Sequence, residues 1–333
     1  MRSSRSWSPW GVRAGLVLAL AAVLALPLAG CKDTQAVAAV AATGTQVADN
    51  LGAYYGTLQA DVGTIGQVEV FLDSLRGIPA DDGEAQRLQA IALALQQRAN
   101  LADALKAAYA DLETLLASDA PANASASAES LVQQVESLVT MPNGVDPSTL
   151  IGDLVGDLVG AVRAREVEKA NRALGEIVSG IQQLFASEID LYAGIVREYN
   201  DDVVLLEQEL IGRDMLDLQP VLQDLAALTG LKLTGTATAA SAPAEVQTAL
   251  AAAAVVGTRQ HQAASLGAAR SLDTALRELA AAHAAIDSRR APSLAEATAA
   301  IARAGQYLDQ IEQLEQEIHA AGDPAAGNTG GTP

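Results

Sequence analysis

The chain has 333 residues, and its 40 acidic and 21 basic residues give it a net charge of −19. This acidity disfavours binding to nucleic acid or to anionic lipid headgroups, and an aromatic content of 3 % leaves few rings for base stacking or for a ligand pocket. A hydrophobic content of 50 % excludes a wholly disordered chain, and the abundance of alanine and leucine favours helices.

The first 31 residues have the three parts of a secretory signal. Three arginines precede an uncharged apolar run over residues 14–30, and small residues lead to Cys31. The run is at the short end of what a membrane-spanning helix needs, and Pro27 disfavours a helix near its end. Cys31 is the only cysteine in the chain, so it cannot form a disulfide within it. This segment is therefore predicted to be cleaved.

Leu28, Ala29, Gly30 and Cys31 resemble the lipobox of bacterial lipoproteins. The resemblance covers residues 1–31 and implies cleavage before Cys31, a diacylglycerol on its sulfur and an acyl chain on its amino group. It also implies anchoring in the cell envelope. Because Lys32 rather than an aspartate follows the cysteine, it favours the outer membrane, facing the periplasm, over the inner membrane. The alternative is an uncleaved signal anchor whose cysteine is unmodified.

These features divide the chain into four parts. We predict a signal peptide over residues 1–30, a lipidated cysteine and short tether over 31–36, a helical domain over 37–320 and a disordered tail over 321–333. All 40 acids but only 18 of the 21 bases follow residue 31, so cleavage would raise the negative net charge to −22.

Apolar residues recur every three or four positions through the predicted domain, which is the period of amphipathic helices. They predict helices that end at the Gly77 turn, at residue 116 and at residue 139, followed by helices over residues 148–212, 214–228, 245–286 and 293–319. No segment alternates apolar and polar residues as a half-buried strand does. The predicted fold is all-α, an elongated antiparallel bundle of about four to five long helices with short accessory helices.

The longest predicted helix covers residues 148–212 and would be about 95 Å long if it were straight. A kink near Gly175 or Gly180 is the alternative to one continuous rod. The apolar stripe that begins at Ile181 and continues to Leu206 is predicted to be buried along its whole length. It would form the spine against which the other helices pack.

Three charged residues lie on or beside predicted apolar faces. Arg98 interrupts the stripe of the second helix, while Glu188 and Glu198 border the apolar face of the long helix. A buried charge must be paired or must reach water. One hypothesis is a polar cavity between helices that binds a cationic or polar ligand. The other is an arginine that extends along the surface to solvent and forms a salt bridge at the rim.

Gly152, Gly156 and Gly160 are spaced four residues apart, which places them on one side of a helix. Asp153 and Asp157 exclude a membrane span there, so the glycines predict close packing of soluble helices. The surface that approaches them could belong to this chain or to a partner protein.

No pattern in the sequence points to catalysis. There is no nucleophile elbow, no glycine-rich phosphate loop and no Glu-x-x-His pair of the kind that binds metals in helical bundles. We therefore predict no enzyme activity, no metal and no cofactor other than the lipid on Cys31. The predicted function is a membrane-tethered structural or protein-interaction bundle with an unidentified envelope partner and no nucleic acid. The alternatives are a periplasmic ligand-binding or sensor bundle and, more remotely, a helical toxin-like protein.

Overall fold

The structure is a computed structural model that describes residues 32–79, 81–116, 125–142, 144, 146–147, 151, 155–164, 166–228, 238–287 and 291–322. These residues contain the following helices: α1 (Lys32–Arg76), α2 (Asp82–Leu116), α3 (Ser125–Ser137), α4 (Val155–Arg163), α5 (Val167–Gly212), α6 (Gln219–Leu228), α7 (Ala244–Ala254), α8 (Val256–Asp287) and α9 (Ala291–Gly322). Five of them have 32 to 46 residues. The predicted all-α bundle of long helices with short accessory ones is confirmed.

Neighbouring long helices run antiparallel. Between α1 and α2, Asp49 pairs with Lys106 and Gln59 with Gln96, so residue numbers fall along α2 as they rise along α1. The same descending order relates α2 to α5, α5 to α8 and α8 to α9. One end of the bundle therefore holds the α1–α2 turn together with the C-terminal end of α5.

Local sequence explains the turn between α1 and α2. Gly77 has a φ of +68°, a left-handed conformation that glycine adopts without steric cost. The Ile78 N–H donates to the Asp73 carbonyl at 2.9 Å, which closes a Schellman motif. The Asp81 carboxylate then accepts the Gly83 N–H at 2.8 Å and caps the start of α2. The turn lies where Gly77 predicted it.

The continuous helix predicted over residues 148–212 is wrong, because residues 164–166 separate α4 from α5. The Glu166 N–H donates to the Ala161 carbonyl at 2.9 Å, a bond that ends α4 instead of extending it. On one straight helix the buried residues of α4 and those of α5 would point roughly 150° apart. A single helix could not bury both sets against one core.

Other boundaries also differ from the prediction. Helix α9 runs from Ala291 to Gly322 instead of over 293–319, so residues 321–322 are helical and not part of the predicted tail. Helix α1 begins at Lys32, so residues 32–36 belong to its first turns and not to a tether. Asp214 has a φ of +56°, a left-handed conformation that ends α5, so α6 begins after residue 214 instead of at it. The predicted helix over residues 245–286 is two helices, α7 and α8, which meet at Val255.

Helix α5 continues through Gly175 and Gly180 without interruption. Half of its predicted spine is fully buried, at Ile181, Phe185, Tyr192 and Val196. The other half is only partly buried, at Ile189, Tyr199, Val203 and Leu206. The prediction of one continuous buried face therefore holds for the middle of α5 and is wrong near its C-terminal end.

None of the described helices combines the length and the apolarity that a membrane span requires. Several sequence predictions fall outside the described residues: the signal peptide with Leu28, Ala29, Gly30 and Cys31, the glycine at Gly152, and the last eleven residues, 323–333. They stay predictions.

Candidate functional site

Arg98 of α2 and Glu188 of α5 form an ion pair inside the bundle. Arg98 donates from Nε to Oε2 at 3.2 Å and from Nη2 to Oε1 at 2.6 Å, and both side chains are 0 % exposed. Burial opposes the charge on Arg98, but the bonds to Glu188 favour it, and its pKa is raised above the ordinary arginine value. The interpretation of Arg98 as an arginine that extends to solvent is therefore wrong.

The same part of α2 holds the segment that follows α3. Arg98 Nη1 donates to the Val139 carbonyl at 2.7 Å, and the Val139 N–H donates to Gln97 Oε1 at 2.8 Å. Met141, two residues farther on, is buried. Two adjacent α2 side chains thus satisfy both backbone groups of Val139 and fix this segment against the bundle.

A cluster of buried aromatic residues lies next to the ion pair and contacts it through Tyr192. The Tyr192 hydroxyl donates to Glu188 Oε2 at 2.5 Å, and the Tyr192 ring lies 5.8 Å from that of Tyr55, centroid to centroid. The rings of Tyr54, Tyr55 and Tyr192 lie 5.3 to 6.2 Å from that of Phe185, centroid to centroid. Burial raises the pKa of Tyr192 well above its ordinary value, so its hydroxyl stays protonated and can donate.

Glu198 does not join this network. It lies ten residues beyond Glu188, about 15 Å farther along α5, and forms a salt bridge with Arg87 of α2. The three residues predicted to line one polar cavity are thus divided between a buried pair and a half-buried cluster. Because Arg98 and Glu188 are bonded to each other and closed to solvent, they do not form the predicted ligand cavity.

The cluster around Glu198 is acidic. Carboxylate oxygens of Glu69, Glu84 and Glu198 lie within 4.8 Å of one another, so among the described residues they are a group that could hold a cation. Arg87 donates from Nε to Glu84 at 2.7 Å, so a positive charge is already present. Partial burial and then the neighbouring acids raise the pKa of Glu69 to about 7, and the same two causes raise that of Asp202 to about 6.

A second buried contact joins α2, α5 and α8 near the other end of the bundle. The Tyr109 hydroxyl lies 2.8 Å from His283 Nε2, and His283 Nδ1 lies 2.9 Å from Asn171 Oδ1. Since Oδ1 can only accept, Nδ1 carries the proton and Nε2 accepts from Tyr109. Burial lowers the pKa of His283 to about 4, so the ring is neutral at pH 7. His283 is 1 % exposed, so the ring is closed to solvent.

Two glycines make room for this contact. A Cβ atom added to Gly44 would lie 2.3 Å from the Tyr109 ring, and one added to Gly175 would lie 2.6 Å from the His283 Cβ. Only glycine fits at either position without displacing these side chains. The sequence offered no signal for this role, because nothing in it pairs residues so far apart.

A third polar contact joins α1 to α8. His261 Nε2 lies 3.1 Å from Asp61 Oδ1, and the ring of His261 lies 4.7 Å from that of Tyr199. Burial raises the pKa of Asp61, and the contact with His261 partly offsets this effect. The three polar contacts each satisfy groups that the core would otherwise leave unpaired, which is a structural role.

The glycines predicted as a packing face lie on or near α4. Gly152 falls outside the described residues, and the surroundings of Gly156 are not described. Gly160 is exposed, and a Cβ atom added to it would meet none of the described residues within 4 Å. At Gly160 the prediction of close packing within the chain is therefore wrong, and docking of a partner at this position stays a prediction.

The outer face of α1 and α2 is unusual in carrying no charge. Residues 50–68 of α1 contain one charged residue, Asp61, and residues 88–102 of α2 contain one, Arg98; both are buried. The exposed positions of this face hold glycine, alanine, glutamine and isolated larger apolar residues: Ala53, Gly56, Ala60, Gly63, Gln67, Val70, Phe71, Gln89, Ala90, Leu93 and Gln96. We call these residues the neutral face.

Three observations characterise the neutral face. Leu93 is 55 % and Val70 61 % exposed, which leaves large apolar side chains in water. The exposed hydrogen bond between Gln59 and Gln96 joins the α1 half of the face to the α2 half. By contrast, exposed positions of α5 carry the charges of Arg172 and other ionic residues. Depletion of charge is typical of the centre of a protein–protein interface.

No protein-family model, curated protein or solved structure matches this chain.

Proposed function

We propose that the protein is a lipid-anchored lipoprotein of a bacterial cell envelope that acts as a protein-interaction bundle through its neutral face. The observation that carries the interaction role is this face, 19 residues of α1 beside 15 of α2 without an exposed charge in a chain of net charge −19. The lipobox-like residues that end at Cys31 support the anchor. The outer membrane, facing the periplasm, is the proposed location.

The buried polar contacts favour this function over the alternative of a ligand-binding bundle. Arg98 and Glu188, the residues on which that alternative depended, bind each other and a backbone carbonyl. They therefore belong to the scaffold and relate α2 to α5. Since Arg98 and Glu188 satisfy each other within the bundle, they are not available to a ligand, and a bundle of this kind can present a helix face to a protein partner.

The anchor is tested by labelling the full chain with a fatty acid in bacterial cells. Wild type should incorporate the label, and Cys31→Ser should not, because the acceptor sulfur is gone. Lys32→Arg keeps the lipobox and the charge and should be labelled like wild type. An unlabelled wild-type chain with an unmodified N-terminus by mass spectrometry would disprove the anchor.

The interaction role is tested with a photo-crosslinking amino acid in the full chain, at Ala60 on the neutral face or at Ala302 on α9 as the control. Both positions are exposed alanines within helices. Illumination of cells should give a protein adduct from position 60 and none from position 302. Equal adducts from both positions, or none from position 60, would rule out the neutral face as the binding surface.

A further inference from the structure

We infer that the neutral face binds a second copy of this chain, with α1 of one copy packed side by side against α1 of the other. This inference rests on the proposed function for the surface and adds the identity of its partner. It is supported by the charge of the chain, by the spacing of the exposed residues on α1 and by the space around two glycines.

The charge of the chain decides which partner the neutral face fits. Two copies of a chain with a net charge of −19 repel each other over most of their surfaces. Like charges placed opposite each other across an interface cost several kcal/mol. A face without exposed charges is where such copies can meet without that cost. A basic partner would gain more from acidic surface such as Glu69, Glu84 and Glu198.

The exposed residues of α1 have the spacing of a helix that pairs with another helix. Gly56, Ala60, Gly63, Gln67 and Val70 follow one another at intervals of four, three, four and three residues. This average of 3.5 is the heptad repeat that keeps one stripe of a helix against a partner helix along its length. The inner stripe of α1 is buried in the bundle, so this second, exposed stripe is the one that is free for a contact outside it.

Two glycines in this stripe are not required by any packing contact with the residues that the structure describes. A Cβ atom added to Gly56 or to Gly63 would meet nothing within 4 Å. Glycine inside a helix costs about 1 kcal/mol relative to alanine, and here no neighbour in the described residues requires it. Small residues let two helix backbones approach closely, as a second α1 would do across this stripe.

The size of the neutral face suits a modest dimer. From Ala53 to Val70 it is about 26 Å long, and two adjacent helices make it about 20 Å wide. Each copy would therefore bury about 500 Å², or about 1,000 Å² in total, which is near the lower limit of specific interfaces. If both copies are anchored through Cys31 in one membrane, the two α1 helices run parallel, since each begins next to its anchor.

The test is disulfide cross-linking of the full chain in bacterial membranes with Ala60→Cys. Position 60 lies in the middle of the stripe, so parallel pairing brings the two introduced cysteines together. Oxidation should give a species of twice the chain mass on a non-reducing gel. Ala302→Cys on α9 is the matched control and should give none. No doubled species from Ala60→Cys, or equal amounts from both variants, would overturn the inference.

A second experiment adds negative charge to the neutral face. In the Ala60→Cys chain, Gly56→Glu together with Gly63→Glu should lower the cross-linked fraction at least about ten-fold, because carboxylates would face each other. Gly305→Glu adds the same group to α9, at another glycine whose Cβ would meet nothing, and should leave the fraction unchanged. Circular dichroism should show all variants equally helical. An unchanged fraction in the double variant would overturn the inference.

The chain without an introduced cysteine is the control that distinguishes a failure of the pairing from a failure of the lipid anchor. Its only cysteine is Cys31, which gives no cross-link if lipid occupies the sulfur and can give one if the thiol is free. A photo-adduct at position 60 to a protein of another mass, without a doubled species, would overturn self-pairing and leave the proposed interaction function standing.

Discussion

Arg98 and Glu188 lie 90 residues apart in the chain, yet their side chains form a two-point ion pair from which solvent is excluded. Such a pair is costly to desolvate, so its presence does not by itself make the bundle stable. Its effect is specific: α2 and α5 can pack in this register only if the two charges meet. The pair therefore distinguishes one alignment of these antiparallel helices from others.

Removing one member of this pair should greatly lower the stability of the protein. Arg98→Met leaves the Glu188 carboxylate buried without its counter-charge and should cost about 3–5 kcal/mol of unfolding free energy. Arg98→Met combined with Glu188→Leu should recover part of that loss, because no charge remains to be buried. The measurement is the urea midpoint, with Arg172→Met in the exposed Arg172–Asp287 pair as the control, which should change little. A small loss in Arg98→Met would mean that water reaches Glu188.

The acidic cluster should make stability depend on pH. The pKa of Glu69 is about 7 in the folded protein, above its ordinary value of 4.5, so between these pH values the folded chain holds a proton that the unfolded chain has released. The stability that this group contributes is thus present at acidic pH and is lost as pH rises towards 7. Glu69→Gln, which never ionises, should be more stable than wild type at pH 8 and nearly equal to it at pH 4.5.

Thermal melting at several pH values measures this difference. The comparison of wild type with Glu69→Gln is necessary because His283 acts in the opposite direction: its pKa is lowered to about 4, so its contribution is lost as pH falls below 6.5. Both proteins contain His283, and its effect cancels. A difference between them that does not change with pH would show that Glu69 is ionised throughout.

Replacement of Gly44 and of Gly305 by alanine should change the stability of the protein in opposite directions. Gly44→Ala would place a methyl group 2.3 Å from the Tyr109 ring, and the required shift should cost about 1–3 kcal/mol. Gly305→Ala adds the same methyl group where nothing lies within 4 Å, and should stabilise the helix by about 0.5–1 kcal/mol. Denaturant midpoints measure both. If Gly44→Ala were also stabilising, Tyr109 would not pack against α1.

The contrast between these glycines shows which features the sequence could reveal. The apolar periodicity of each helix is local, and it predicted the long helices and the turn at Gly77. Whether a glycine faces a tyrosine 65 positions away depends on how the helices pack, as do the pairing of Arg98 with Glu188 and the position of His283. The sequence marked Arg98 and Glu188 as unusual but contained no signal that joined them.

The break between α4 and α5 was missed for a different reason. Residues 161–167, AVRAREV, contain no glycine or proline, and most of them are good helix formers. What ends α4 is the change in direction of its apolar side relative to that of α5. The sequence contains this change: the apolar residues before residue 164 and those after it do not follow one three-or-four-residue spacing. The neutral face was likewise visible in outline, as long uncharged stretches, but required the structure to show that they are adjacent and exposed.

The middle of α5 supports the last prediction. Phe185 is fully buried, and its ring lies within 6.2 Å of Tyr54, Tyr55 and Tyr192, centroid to centroid. Phe185→Ala would remove the ring that the three tyrosines surround and should cost about 3–5 kcal/mol, because the close-packed neighbours cannot fully collapse into the space.

Gln183→Ala, two residues away on the exposed side of α5, is the matched control. Its side chain contacts water and Ser179, so its loss should change the unfolding free energy by no more than about 0.5 kcal/mol. Urea denaturation of both variants provides the comparison. A loss of less than about 1 kcal/mol in Phe185→Ala would mean that this cluster is loosely packed.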